Sequence, residues 1–261
     1  MPFHLFDSHC HLDDRSFDKD LEATLDRAHR AGVGAMMVVG IDGPSSRKAA
    51  ALAGQNSGLI ASVGVHPHDA QSCSEETLDE LGSIASNPAV RAWGEVGLDF
   101  NRMYSPQEDQ EHWFIRQLEW GAQLNLPMIF HERDSRGRFL EILRAHWNPQ
   151  RNGVIHCFSG SPSELKAYLD LGLYIGITGI VTLKSRGQAL RRMIPDIPPE
   201  RLLVETDAPY LTPTPERNKH RRNEPAFVRT VLLKLAQVCG RDPETLADIT
   251  WNNACRLFGE P

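Results

Sequence analysis

No apolar run in these 261 residues approaches the length that crosses a bilayer, so no contact with the membrane is expected. The opening MPFHLFDSHCH has no basic segment leading into a long apolar stretch, which points to a cytoplasmic protein. Cysteine is sparse: Cys10, Cys73, Cys157, Cys239 and Cys255 are scattered, with no CxxC pair. That pattern excludes a disulfide framework and fits reduced, mostly buried thiols. Positive charge is in deficit, with 28 Lys and Arg against 34 Asp and Glu and a net charge of -6. The surface as a whole therefore does not attract nucleic acid, and any phosphate binding has to be local. A fixed-period repeat, a low-complexity tract and a Gly/Ser linker are also absent. The reading is one domain over residues 1–261.

What is present is an alternation of short Val/Ile/Leu-rich runs with longer stretches of helical period. Strands are predicted at Phe3–Cys10, Gly34–Gly40, Leu59–Val65, Ala89–Val96, Pro127–His131, Gly153–Phe158, Leu173–Ile177 and Leu202–Asp207. Helical stretches include Asp18–Ala31, Gln107–Leu124, Ser135–Trp147 and Ser163–Leu171, and two more, Pro225–Cys239 and Pro243–Leu257, finish the chain. Eight strands at this spacing predict an α/β fold, a single (β/α)8 TIM-type barrel.

Histidines and carboxylates gather where those strands end. In FDSHCHLD a period of two puts Asp7, His9 and His11 on one face, an arrangement in which two imidazoles can share a metal. Glu95, His131, His156, Glu205 and Asp207 end four further runs. In a parallel barrel all these ends converge on one mouth. A charged group there is costly unless paired, and a metal pair is the simplest common partner for four imidazoles and two carboxylates.

DSHCHLD, GVHPHDA, GEVGLDFNR, LPMIFHERDS, HCFSG, ETDAPYL and RNEP, in this order, resemble the successive motifs of the TatD family of metal-dependent deoxyribonucleases. That resemblance implies hydrolysis of nucleic-acid phosphodiesters with divalent metal. Carried over, it assigns His9, His11, Glu95 and Asp207 to one ion and Glu95, His131 and His156 to a second, with Glu95 bridging. Glu132 departs from the small residue many relatives have at that position, and NKHRR departs from a glycine-containing turn.

The expected chemistry is attack by a water held between two divalent ions, with Asp207 as base and orienting group and Glu95 as the bridge. Mg is the expected ion from the resemblance, while the histidine-rich donor set would also accept Zn or Mn. His66 and Arg133 are candidate phosphate contacts, with His68 and the basic run Arg217–Arg222 as further ones. Trp113, Trp120 and Trp147 fall in helical stretches and are read as core. The expected partner is the end of a single-stranded DNA or RNA, cut 3′ to 5′ as the resemblance implies, by a monomer. The alternatives are hydrolysis of another ester or amide, such as an aminoacyl-tRNA ester, and a metal-stabilised binding or quality-control protein with little turnover.

Overall fold

The computed structural model describes residues 3–261. Its strands are β1 (Leu5–Cys10), β2 (Val33–Val39), β3 (Leu59–Val63), β4 (Val90–Asp99), β5 (Met128–Arg133), β6 (Gly153–Ile155), β7 (Tyr174–Ile177) and β8 (Leu202–Val204). All neighbours pair parallel in sequence order, β1 through β8. The ring closes where Ala208 bridges Cys10, with the Asp207 amide donating to His9 O at 2.9 Å and the His11 amide to Ala208 O at 2.7 Å. This is the (β/α)8 barrel that the element order predicts.

Helices α1 (Leu21–Arg30), α2 (Gly43–Gln55), α3 (Glu75–Ile84), α4 (Gln107–Gln123), α5 (Arg138–His146), α6 (Pro162–Asp170), α7 (Gln188–Met193) and α8 (Val228–Cys239) follow the strands in turn. A last helix, α9 (Pro243–Phe258), follows α8. Capping sets several of these starts. Asp42 and Ser161 form capping boxes with Ser45 and Glu164, each with a proline in the first turn. Among the described residues no helix is long and apolar enough to cross a membrane.

One buried apolar cluster takes residues from every strand, including Phe6, Met37, Ile60, Ala92, Ile129, Val154, Tyr174 and Leu203, and is therefore the barrel interior. Ala254, Leu257 and Phe258 of α9 join it, so the last helix packs onto the barrel end where the strands begin. The opposite end, where the strands finish, is left free for polar side chains.

Strand lengths differ from the sequence reading at the functional end. β6 stops at Ile155 and β8 at Val204, so His156, Glu205 and Asp207 lie just past their strands. The cause is local: Cys157 and Asp207 take left-handed backbone, with φ of 49° and 58°, which ends the extended ladder. β4 runs on past Val96 to Asp99, carrying one more carboxylate to the mouth than expected.

Candidate active site

Glu95 sits in the middle of β4 between two glycines that let the strand press against β5. Gly94 and Gly97 have φ of 145° and 147°, and a Cβ on them would lie 2.4 Å from Ile129 O and 1.9 Å from His131 O respectively. The GEVG spacing is thus a steric requirement for placing a buried carboxylate beside His131.

Both Glu95 oxygens are used. Oε2 faces His9 Nε2 at 3.3 Å and His11 Nε2 at 3.9 Å, while Oε1 faces His131 Nδ1 at 2.7 Å, His66 Nε2 at 3.6 Å and His156 Nε2 at 3.9 Å. Asp207 Oδ1 lies 3.5 Å from His11 Nε2, 3.6 Å from His156 Nε2 and 3.8 Å from His9 Nε2. The His156 ring stacks on His9 with centroids 3.4 Å apart, so His156 stands between the two halves of the cluster and not with His131 alone.

This donor set fits cations. His9, Glu95 and His156 form one group whose ligand atoms lie within 4.8 Å of one another, as do His9, His11 and Asp207, and His66, Glu95 and His131. The imidazoles are also turned for it. His11 Nδ1 contacts Val39 O at 3.1 Å and His156 Nδ1 lies 2.8 Å from Glu205 Oε1, off a hydrogen-bond direction. In both rings Nε2 points at the cluster, the arrangement by which backbone and carboxylate oxygens orient ligating histidines.

With protons in place of cations the cluster is strongly polarised. Burial alone would push the Glu95 pKa up, but the charges of His156, His66 and His9 and the bond from His131 hold it well below the usual carboxylate range. Asp207 is likewise depressed, chiefly by its bond to His11 against the effect of burial. Burial disfavours charge on His11 too, yet Asp207 and Glu95 raise it to about 9. Asp99 and Glu95 do the same for His131, again to about 9. His66 goes the other way, burial taking it well below its ordinary value.

Four more residues complete this mouth, and of these only Asp99 was not singled out by sequence. Asp99, fully buried, receives His68 Nε2 at 2.8 Å, faces His131 Nε2 at 3.4 Å and accepts from the Asn101 and Arg102 amides. Glu205 accepts from the Cys157 amide at 2.6 Å and from Ser8 Oγ at 3.2 Å, so it braces the His156 turn. Asp7 is diverted from the cluster: its carboxyl accepts from the Thr206 amide at 2.8 Å and from Thr206 Oγ1 at 2.5 Å. His66 Nδ1 accepts from the His68 amide at 3.1 Å, so the neutral ring carries its proton on Nε2 and offers a donor.

Arg133 lines the cavity above the cluster, about 630 Å³, together with Arg102 and Arg186. The basic run does not line it. Arg222 is tied to Asp20 by two bonds of 2.7 Å, and none of Arg217, Lys219 or Arg221 reaches the cavity. Its neighbour Asn223, fully buried, donates to Thr206 O at 2.9 Å and Tyr210 O at 2.6 Å, so RNEP fixes the loop that carries Asp207. Trp147 lies in the apolar core and Trp113 and Trp120 pack against it, as expected for these three tryptophans.

Comparison with known proteins agrees with this geometry. A family profile described as TatD related DNase matches residues 6–259. A Cronobacter sakazakii protein named 3′-5′ ssDNA/RNA exonuclease TatD is 42% identical over 256 residues, covering 97% of each chain. Among solved structures, the Escherichia coli TatD homologue YJJV superposes with a TM-score of 0.90 at 30% identity over 100% of both chains. A TatD family hydrolase of Entamoeba histolytica gives 0.89 at 25% identity over 99% of both. With residues 6–259 spanned by the family profile, the chain belongs to the TatD family of metal-dependent deoxyribonucleases.

Proposed function

We propose that the protein is a 3′-5′ exonuclease of single-stranded DNA or RNA, acting at a two-cation site held by His9, His11, Glu95, His131, His156 and Asp207. The observation that carries this reading is the division of Glu95: one oxygen turns to His9 and His11, the other to His131 and His156. A carboxylate set between two groups of imidazoles suits a pair of cations better than one. When bound, divalent ions would neutralise phosphoryl charge and make water a usable nucleophile at neutral pH. Mg is the proposed ion, with Mn or Zn able to replace it at nitrogen-rich donors.

The chain's own groups then divide the work. Asp207, partly open to the cavity, orients the attacking water and accepts its proton on the carboxylate. His66 Nε2 and the guanidinium groups of Arg133, Arg102 and Arg186 bind phosphate oxygens, the arginines by paired N–H donors. Direction of digestion and the single-stranded substrate come from the name of the Cronobacter relative.

The test is digestion of 3′-labelled and 5′-labelled single strands, duplexes and aminoacyl esters by metal-stripped protein resupplied with one ion at a time. Mononucleotides released from the 3′ end in the first minutes are expected. Early mid-length fragments from a circular strand would overturn the exonuclease assignment, and ester hydrolysis without strand cleavage would overturn the nuclease one.

A further inference from the structure

The chain has four tyrosines, and their placement is uneven. Tyr168 and Tyr174 are buried in the body of the barrel, whereas Tyr104 and Tyr210 are 63% and 53% exposed and both line the cavity above the cluster. Folding gains little from rings left in water, and neither hydroxyl has a hydrogen-bond partner among the described residues. Two such rings facing one charged cavity are suited to an apolar planar ligand that arrives there.

Their backbones are held firmly. Tyr210 N donates to Asp207 O at 2.8 Å, and Tyr210 O accepts from the buried Asn223. Next to Tyr104, Ser105 is buried, donates to His68 O at 2.7 Å and accepts from the Gln71 amide at 3.0 Å. Tyr104 meets His68 edge-on at 4.7 Å, and Tyr210 meets His11 edge-on at 5.9 Å. One ring therefore stands by the His131 side of the cluster and the other by the His11 side. The cavity between them also holds the arginine cations that suit phosphates.

We propose that Tyr104 and Tyr210 are a base clamp: they stack on the unpaired bases at the end of the strand and set the scissile phosphodiester over Glu95. The clamp rests on the nuclease reading above and specifies how that site chooses its substrate. Every nucleobase presents a π-face, so such stacking tolerates any sequence. It requires the base to be free of its own helical stack, which selects single strands over duplex ends. An acidic protein with few phosphate contacts gains from the clamp the affinity its overall charge does not provide.

The experiment compares two strands, one ending in a normal 3′ nucleotide and one in an abasic 3′ residue. The affinity of metal-free protein for each is measured by fluorescence anisotropy, and kcat/KM for each is measured with Mg or Mn. Wild-type protein is expected to favour the base-bearing end by roughly tenfold in both readings, the scale of stacking one base on an aromatic ring. Tyr104→Ala or Tyr210→Ala should bring the ratio towards one, and Tyr104→Phe or Tyr210→Phe should keep it, because the ring and not the hydroxyl is used. A wild-type ratio near one, or alanine variants that keep the wild-type preference, would overturn the clamp while leaving nuclease activity standing. An intact affinity ratio in a protein that cleaves no strand would retain the clamp and remove the nuclease reading.

Discussion

The Asp7 carboxyl and Thr206 are joined across the barrel seam by two hydrogen bonds, from the Thr206 amide at 2.8 Å and from its hydroxyl at 2.5 Å. β8 has ended two residues earlier, so this side chain takes the place of a ladder bond next to Asp207. Asp7→Ala should leave the Thr206 amide buried and unpaired, at a cost of about 1–3 kcal/mol in denaturant unfolding. Asp7→Asn keeps an acceptor oxygen, and burial already pushes the Asp7 pKa up to about 8, so the loss of charge should matter less. Equal destabilisation by both substitutions would show that the seam depends on the charge.

Glu95→Ala and Asp207→Ala should each lower strand hydrolysis to background while the far-UV spectrum stays that of a folded barrel. Neither side chain belongs to the apolar interior that the strands share. The histidines should differ in metal stoichiometry. Among the carboxylates His131 faces Oε1 of Glu95 and Asp99 but not Asp207, whereas His156 lies 3.9 Å from Glu95 and 3.6 Å from Asp207. His131→Ala should therefore release one ion first, and His156→Ala should weaken both. Unchanged stoichiometry in the His131 variant would separate that residue from the centre.

Protonation sets a pH window for the metal-free protein. His11 and His131 are raised to about 9, so their contribution to stability is complete below the ordinary histidine value of 6.5 and fades as pH climbs to about 9. Glu95 and Asp207 are depressed, so theirs is present above the ordinary values of 4.5 and 3.8 and is lost as pH falls through the folded values. Cations must displace the histidine protons, so metal affinity should rise between pH 6.5 and 9 with proton release on binding. Calorimetry in two buffers of different ionisation enthalpy measures that release. A flat affinity across this range would show that His11 and His131 are already deprotonated without metal.

Much of this was legible in the sequence for a physical reason. Strand periodicity and the convergence of parallel strand ends are enough to bring His9, Glu95, His131 and Asp207 to one mouth. Asp99 was not legible, because β4 continues three residues beyond Val96 and nothing in GLDF fixes where extended backbone stops. The partner of Asp7 was not legible either: a period of two says which face a residue takes, but not that Thr206 would offer two donors. The basic run was read as a further phosphate contact, and there the fold decides otherwise. Arg222 is engaged by Asp20, a carboxylate more than 200 residues away in sequence, and only the fold brings them together.

The diversion of that basic run limits how a strand is held, and salt dependence reads it directly. Each phosphate neutralised on a single strand contributes about 0.7 to the slope of log affinity against log salt. A grip extending along Arg217, Lys219, Arg221 and Arg222 would add several contacts and a steep slope. The cavity instead presents Arg102, Arg133 and Arg186, with His66 at its floor kept neutral by burial. Three cations suit two or three phosphates at a strand end, so the slope should be about -2. Arg133→Ala should reduce its magnitude by about 0.7, because one counterion fewer is released, while Lys219→Ala should leave it unchanged. Strand affinity measured from 50 to 300 mM salt tests both; a slope near -4 in the wild type, or equal effects of the two substitutions, would place the basic loop on the strand after all.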